Sequence, residues 1–434
     1  MNDQSRLKRE LGVPGAAMLG LGSILGTGVF VSIGVAAGIA GPAVVPAIVV
    51  AAALATCNAL SSAQLAAAHP VSGGTYEYGY RLLRPVLGFV AGWVFLCAKS
   101  ASAAAAALGA TGYLAHLLGI APGAWLGPGA AVLALAVTAL VLGGLRRSSL
   151  LNIVIVSTTL LALIAFGVIG IGHRMAQGHD VLSASPASGG VAGFLYATAL
   201  MFVAYTGYAR IATLGEEVRD PGRTIPRAII ITLIVSAGLY VLVAVAALGA
   251  VPAAELGAAA EQAAIPLEIA ARAMQAPGLG TLVALGAVTA MLGVLLNLVL
   301  GLSRVALAMG RRSDLPPRLA SITARGTPRA AVAGVGLLVS AIALSGAIET
   351  TWAFSALSVL VYYALTNAAA LRLEPEQRRY PAIIAWVGLI GCLGLTAFLP
   401  GRVWALGLML VAAGLIWRRL WQRLRGSRHG APER

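Results

Sequence analysis

The sequence predicts an all-helical membrane protein that crosses the bilayer about twelve times, and three observations carry that expectation. First, 59% of the residues are hydrophobic and only 10% are charged, giving a mean hydropathy of +0.89. A water-soluble domain of this length leaves too much surface in water to hide so much apolar material. Second, apolar runs of about 20 residues or more recur along the chain, each able to cross about 30 Å of hydrocarbon. Third, Lys and Arg sit in the short connections between those runs. The net charge of +15 therefore reads as a topology signal, and nucleic acid is not an expected partner.

In chain order the spans are expected near 14–38, 41–66, 86–116, 124–145, 150–172, 191–214, 228–251, 278–308, 330–347, 352–371, 382–399 and 402–418. The start, "MNDQSRLKRELGVPG", is polar, and the apolar run after it is longer than a signal-peptide core. The first span is therefore expected to stay in the mature protein. Span 1 contains "GLGSILGTGVF", with Gly26-Thr27-Gly28 near mid-depth. Span 3 carries one cation, Lys99. Span 5 offers the hydroxyl cluster Ser157, Thr158 and Thr159. Span 6 reads "MFVAYTGYARIA", with Thr206-Gly207 near mid-depth. The segment 251–277 carries Glu255, Glu261, Glu268 and Arg272 and is expected to form a short helix outside the membrane. Span 8 contributes Thr289 and Asn297; the last four spans are generically apolar. The tail "WRRLWQRLRGSRHGAPER" reads as an aromatic, basic interfacial end followed by disorder.

With the N-terminus inside, the connecting arginines fall almost entirely on the inner side, and only Arg174, Arg272 and Arg402 fall outside. This places both termini in the cytoplasm and the chain in the cytoplasmic (inner) membrane. The expected organisation is a cytoplasmic N-terminus (1–13), a ten-helix transport core (14–372), two further helices (373–418) and a basic tail (419–434). Cys57, Cys97 and Cys392 lie inside apolar runs without metal or redox spacing, as small hydrophobes do. His69, His116, His173 and His179 lie at loops or span ends and receive no role. No cofactor or metal is implied.

Glycine in a helix interior costs helix stability. In lipid an unwound backbone survives only where it is buried in protein or lines a cavity. Glycine breaks at corresponding spans of two halves point to an inverted-repeat secondary transporter. Freed N–H groups there suit a substrate carboxylate, and freed C=O groups suit an ammonium. Close helix packing through small residues is the competing explanation of each break alone.

Four segments carry a family resemblance: "GSILGTGVF", "HPVSGGTYEYGYRLLRPVLGFVAGW", "FVAYTGYARIATLGEEVRDPGRTIPRA" and "SRVALAMGRRSDLPP". In this order, at these spans, they resemble the amino acid–polyamine–organocation permeases, most nearly bacterial amino acid permeases related to the cationic amino acid transporters. The match covers about residues 10–320. The resemblance implies a LeuT-type fold, a five-plus-five inverted repeat with two extra spans, and alternating access for amino acids. It assigns the substrate carboxylate to Ser23, Ile24, Gly26, Thr27 and Gly28, and the amino group to Phe202, Tyr205 and Thr206, with Phe202 or Tyr205 as an aromatic gate. Two departures stand out. Proton-coupled relatives carry a lysine in span 5 where this chain has Thr158, and their span 3 usually lacks the lysine that is Lys99 here.

Lys99 lies about 11 residues past Gly88, roughly 16 Å along a helix that starts at the inner face. A lysine near the midplane costs about 2.5–3.5 kcal/mol on insertion scales, so a functional role is the default reading. Proton coupling, direct substrate contact and a fixed structural cation all fit. Thr158 with its neighbours is the alternative coupling candidate, for sodium, although such hydroxyls also bond their own helix. Asn297 is a candidate substrate contact or an interhelical hydrogen bond. Arg210 with Glu216 and Glu217 is a candidate cytoplasmic gate, with a static charge pair as the plain alternative.

The expected function is secondary transport of neutral amino acids with protons, since the small apolar stretches "SASAAAAALG" and "AMLGVLLN" lack a carboxylate. An exchanger, a sodium-coupled transporter and a transport-incompetent sensor remain alternatives. No phosphate-binding GxxxxGK[ST] loop occurs, which argues against an ATP-driven pump. No intramembrane dyad supports an enzyme.

Overall fold

The two glycine-marked spans are interrupted where the sequence places the breaks, and the other helices pack around them. The computed structural model describes residues 12–69, 74–121, 123–143, 149–176, 189–212, 218–323 and 328–429. Span 1 is α1 (Val13–Ile24) and α2 (Ile33–Ala40), joined through a break and a wide π-type turn at Gly28–Ser32. Then come α3 (Val44–Ala68), the short α4 (Thr75–Tyr78), α5 (Pro85–Leu117), α6 (Leu126–Leu142) and α7 (Ser149–Ala176). Span 6 is α8 (Gly190–Tyr205), a 3-10 turn at Thr206–Tyr208 and α9 (Ala209–Ala212). The chain continues with α10 (Pro221–Ala250), α11 (Ala253–Ala263), α12 (Pro266–Ala273) and α13 (Leu279–Arg311). It closes with α14 (Arg329–Ala343), α15 (Ile348–Ala370), α16 (Ala382–Thr396) and α17 (Gly401–His429).

Among the described residues, nine helical stretches are long and apolar enough to cross a membrane. Three shorter apolar helices, Val13–Ile24, Arg329–Ala343 and Ala382–Thr396, also coincide with expected spans. The first is short because its span is broken. Two boundaries differ from expectation. The segment after α10 forms two helices, α11 and α12, where one was expected. The last helix runs past 418 to His429, through Arg-, Trp- and Leu-rich sequence that propagates a helix once it has begun.

Burial sorts the helices. α5 packs against α13, α15, α6 and α14, and its Ala- and Gly-rich centre from Leu96 to Ala110 is buried throughout. Small side chains are what permit neighbours to approach on several sides at once. α10 packs on α1, α3 and α7, while α2 lies against α8 and α11. The apolar window of α17 is only 11% buried, which puts this helix at the periphery.

Candidate substrate and coupling site

The break in span 1 falls at residue 25. α1 ends at Ile24, and Leu25 is extended, with ψ of 110°. The amides of Val29 and Phe30 both return to the Gly26 carbonyl at 3.1 Å. The break in span 6 follows Tyr205, where the α-helix tightens into its 3-10 turn. The two breaks lie against each other. A Cβ on Gly207 would sit 2.2 Å from the Ser23 carbonyl oxygen, and one on Gly28 would sit 2.5 Å from the Ala204 methyl. Only glycine lets these backbones meet.

One tyrosine reaches a carbonyl at each break, its single hydroxyl proton serving one of them at a time. The Tyr240 hydroxyl, from α10, lies 3.0 Å from the Ile24 carbonyl and 3.2 Å from the Ala204 carbonyl. Its ring packs on Tyr205 at 5.1 Å between centroids. The Thr27 hydroxyl, 3% exposed as a residue, makes no hydrogen bond among the described residues. A buried hydroxyl left without a partner at an interrupted helix has capacity for a ligand.

Lys99 reaches this place. It is 7% exposed, and its ammonium donates to the Thr206 hydroxyl at 2.7 Å. Thr206 in turn donates to the Val203 carbonyl at 2.7 Å. The lysine of span 3 is thus tied to the break of span 6, a juxtaposition that spacing along the chain does not reveal. Next to Lys99, Ser102 pairs with Ser355 of α15 at 2.7 Å. α13 and α15 both pack along α5.

The other sequence-derived candidates divide. Ile24, Gly26, Gly28, Phe202 and Tyr205 are buried at the two breaks. Phe202 stands edge-on to Tyr363 of α15 at 5.8 Å, and the Tyr205 hydroxyl donates to the Ile48 carbonyl at 3.3 Å. The Ser23 hydroxyl turns back to the Leu19 carbonyl of its own helix. Asn297 is half-buried on α13. Thr289 bonds the Leu285 carbonyl of its own helix. Ser157 is exposed, Thr158 half-buried and Thr159 buried, so the span 5 hydroxyls point to different surroundings. Arg210 is exposed on α9; Glu216 and Glu217 lie outside the described residues.

Tyr240 and Tyr113 escaped the sequence reading. The Tyr113 hydroxyl donates to the Phe30 carbonyl at 2.8 Å, tying span 3 to the turn after the first break. Both are tyrosines within apolar runs, which a sequence presents as ordinary interfacial or core residues. His116, assigned no role, lies 2.8 Å from the buried Glu268 and 2.9 Å from Arg272. This cluster lines a cleft of about 300 Å³ beside α12.

A family model described as amino acid permease matches residues 15–417. The chain belongs to the amino acid permease family. The permease is thereby placed in the amino acid–polyamine–organocation superfamily, as the four motifs indicated, and is a multi-pass membrane protein of a transporter family. It is 40% identical over 414 residues to an uncharacterized transporter of Mycobacterium tuberculosis, covering 94% of this chain and 90% of that protein. It is 30% identical over 269 residues to the branched-chain amino acid permease BcaP of Bacillus subtilis, covering 58% of this chain and 57% of that one. A vacuolar cationic amino acid transporter 4 of Arabidopsis thaliana is 28% identical over 271 residues, covering 57% of this chain and 44% of the relative.

Proposed function

We propose that this permease is a secondary transporter of neutral amino acids in the cytoplasmic membrane, with both termini inside, working by alternating access and driven by protons. The observation that carries this reading is the meeting of two broken helices at one buried point, with the Lys99 ammonium bonded to one of them. The outer half of span 1 begins there, and its N-terminal N–H groups with the unpaired Thr27 hydroxyl suit a carboxylate. The carbonyls that end α8 suit an ammonium. Amino acid recognition then needs little from side chains, which explains why the site is made of glycine, threonine and backbone.

The side-chain pocket in this reading is walled by Ala103 to Ala107 of α5, which are small and buried. Such a wall favours apolar substrates and offers no counter-charge to arginine or lysine. The similarity to a branched-chain amino acid permease supports this choice; the similarity to a cationic amino acid transporter makes basic amino acids the comparison to test.

Lys99 is the coupling residue. Protonated, its ammonium holds the span 6 break through Thr206; with the proton gone, that charge-assisted bond is lost. A proton thus biases one facing state by as much as the two states differ in that interaction. The test is uptake into proteoliposomes under imposed proton or sodium gradients, with leucine, alanine and arginine as substrates. The wild-type protein is expected to concentrate the neutral amino acids when a proton gradient is imposed. Lys99→Ala is expected to lose accumulation and keep exchange. Lys99→Arg is expected to fail likewise, because a guanidinium stays protonated. Accumulation by Lys99→Ala with the wild-type pH response would remove Lys99 from coupling. Uptake that needs sodium and ignores pH would shift coupling to an ion site such as Thr158.

A further inference from the structure

Two of the family-like motifs, far apart in sequence, interlock at the arginine-bearing face. α4 and the turn after it (residues 75–83) follow span 2, while Arg312 and Asp314 follow span 8. The Arg312 guanidinium binds Glu77 with two nitrogens, one of them Nε to Oε1 at 2.9 Å. Tyr76 and Tyr80 each donate a hydroxyl hydrogen bond of 2.7 Å to the same oxygen of Asp314. The guanidinium also lies 4.6 Å from the centroid of the Tyr80 ring. Gly92 of α5 makes room for this packing, since a Cβ there would sit 2.5 Å from the Tyr76 ring.

The last helix joins the same group. Arg418 lies 3.9 Å from the other oxygen of Asp314, and the Trp417 indole donates to the Asp314 carbonyl at 3.1 Å. Arg418 also lies over Phe89 of α5, at 5.5 Å from the ring centroid. Glu77 and Asp314 are 9% and 7% exposed. Carboxylates so buried hold their places only while paired. The connection from span 2 to span 3 is therefore clamped to the ends of spans 8 and 12.

We propose that Glu77, Tyr76, Tyr80, Arg312, Asp314 and Arg418 form a latch that keeps this face of the permease closed, and that the peripheral α17 is a working part of it. A path that opens by moving span 2 against spans 3 and 8 must part Glu77 from Arg312 or the tyrosines from Asp314. These are positioning residues for the transport cycle and touch no substrate. The inference rests on alternating access within the proposed function; it does not depend on the coupling ion or on which amino acid is carried.

Amide hydrogen exchange of the full-length protein in lipid nanodiscs, without substrate, reads the opening directly. In Glu77→Gln and in Arg418→Gln, exchange in α1 (13–24) and in the inner part of span 6 (206–212) is expected to rise at least about fivefold, the low end of typical coupling between sites. α11 and α12, at the opposite face, are expected to stay unchanged. The paired reversal Glu77→Arg with Arg312→Glu is expected to restore much of the protection. Tyr80→Phe, which removes one hydrogen bond and no charge, is expected to give a smaller rise and covers the case in which a charge variant misfolds. Unchanged exchange at α1 and span 6 in folded Glu77→Gln and Tyr80→Phe would overturn the latch. A rise in Glu77→Gln with none in Arg418→Gln would overturn the part assigned to α17. Because no substrate is present, failure here is distinguishable from failure of the uptake experiment.

Discussion

At the scale of single residues, the site is defined by what is missing from side chains. At Gly207 an added Cβ would lie 2.2 Å from a backbone oxygen, that of Ser23. At Gly26 it would meet the end of a side chain, Val294 Cγ2, at 2.8 Å. A backbone carbonyl in a packed break cannot retreat, whereas a valine methyl can shift by a few tenths of an ångström. Gly207→Ala is therefore expected to lower the melting temperature and abolish uptake. Gly26→Ala is expected to lose less stability than Gly207→Ala, since a side chain rather than a backbone carbonyl must give way. Gly26→Leu is expected to insert and fold but lose substrate binding, because its bulk fills the proposed carboxylate seat. Thermal unfolding and binding measurements on the three purified variants check the order. Normal stability and uptake in Gly207→Ala would mean that the two breaks do not touch in the working protein. Glycine and threonine at these positions were legible in the sequence. Tyr240 and the hydroxyl chain from Lys99 were not, because each acts across a contact between helices far apart in the chain.

At the scale of elements, α11 and the start of α15 meet through an acidic pair outside the membrane. Glu349 accepts from the Tyr196 hydroxyl at 3.2 Å and from Arg402 at 3.3 Å. The neighbouring Glu349 carboxylate is the main influence that holds the Glu261 carboxyl above its ordinary range; burial adds to it, and Arg402 opposes it. A raised carboxyl pKa means that the contact is strongest with the proton present. Its contribution is complete below the ordinary carboxylate pKa and is lost as pH rises through the raised value. Hydrogen exchange in α11 (253–263), corrected for the intrinsic pH dependence, is expected to increase over that interval in the wild-type protein. Glu261→Gln is expected to flatten the response. The same flattening is not expected from Glu255→Gln, since Glu255 has no part in the pair. A response unchanged by Glu261→Gln would place the titration elsewhere.

At the scale of the whole molecule, the arrangement makes sense only across a membrane. Large apolar side chains such as Leu150, Val168 and Ile234 are exposed on the helices at 72%, 62% and 66%. Lipid solvates such surface at no cost, while water would not. Loop arginines predict which face is inside, and reporter fusions at the C-terminus are expected to show a cytoplasmic end. A fusion active only on the outer side would require either an odd number of crossings or the reverse of the proposed orientation, the latter moving the latch to the outer face.

The sequence by itself determined that the chain is helical, that it lives in lipid, where its apolar helices lie and which two of them are interrupted. Each of these rests on local composition: runs of apolar residues, arginines at their ends, glycines at mid-depth. The four motifs also determined the family. Only the tertiary structure decided that Lys99 bonds Thr206, that the Tyr240 hydroxyl lies within reach of a carbonyl at each break, and that Glu77 finds Arg312 while Asp314 gathers two tyrosines and the last helix. In lipid the hydrophobic effect does not choose between helix partners. That choice falls to close packing and to a few buried polar contacts, and their partners lie 107, 216 and 235 residues apart.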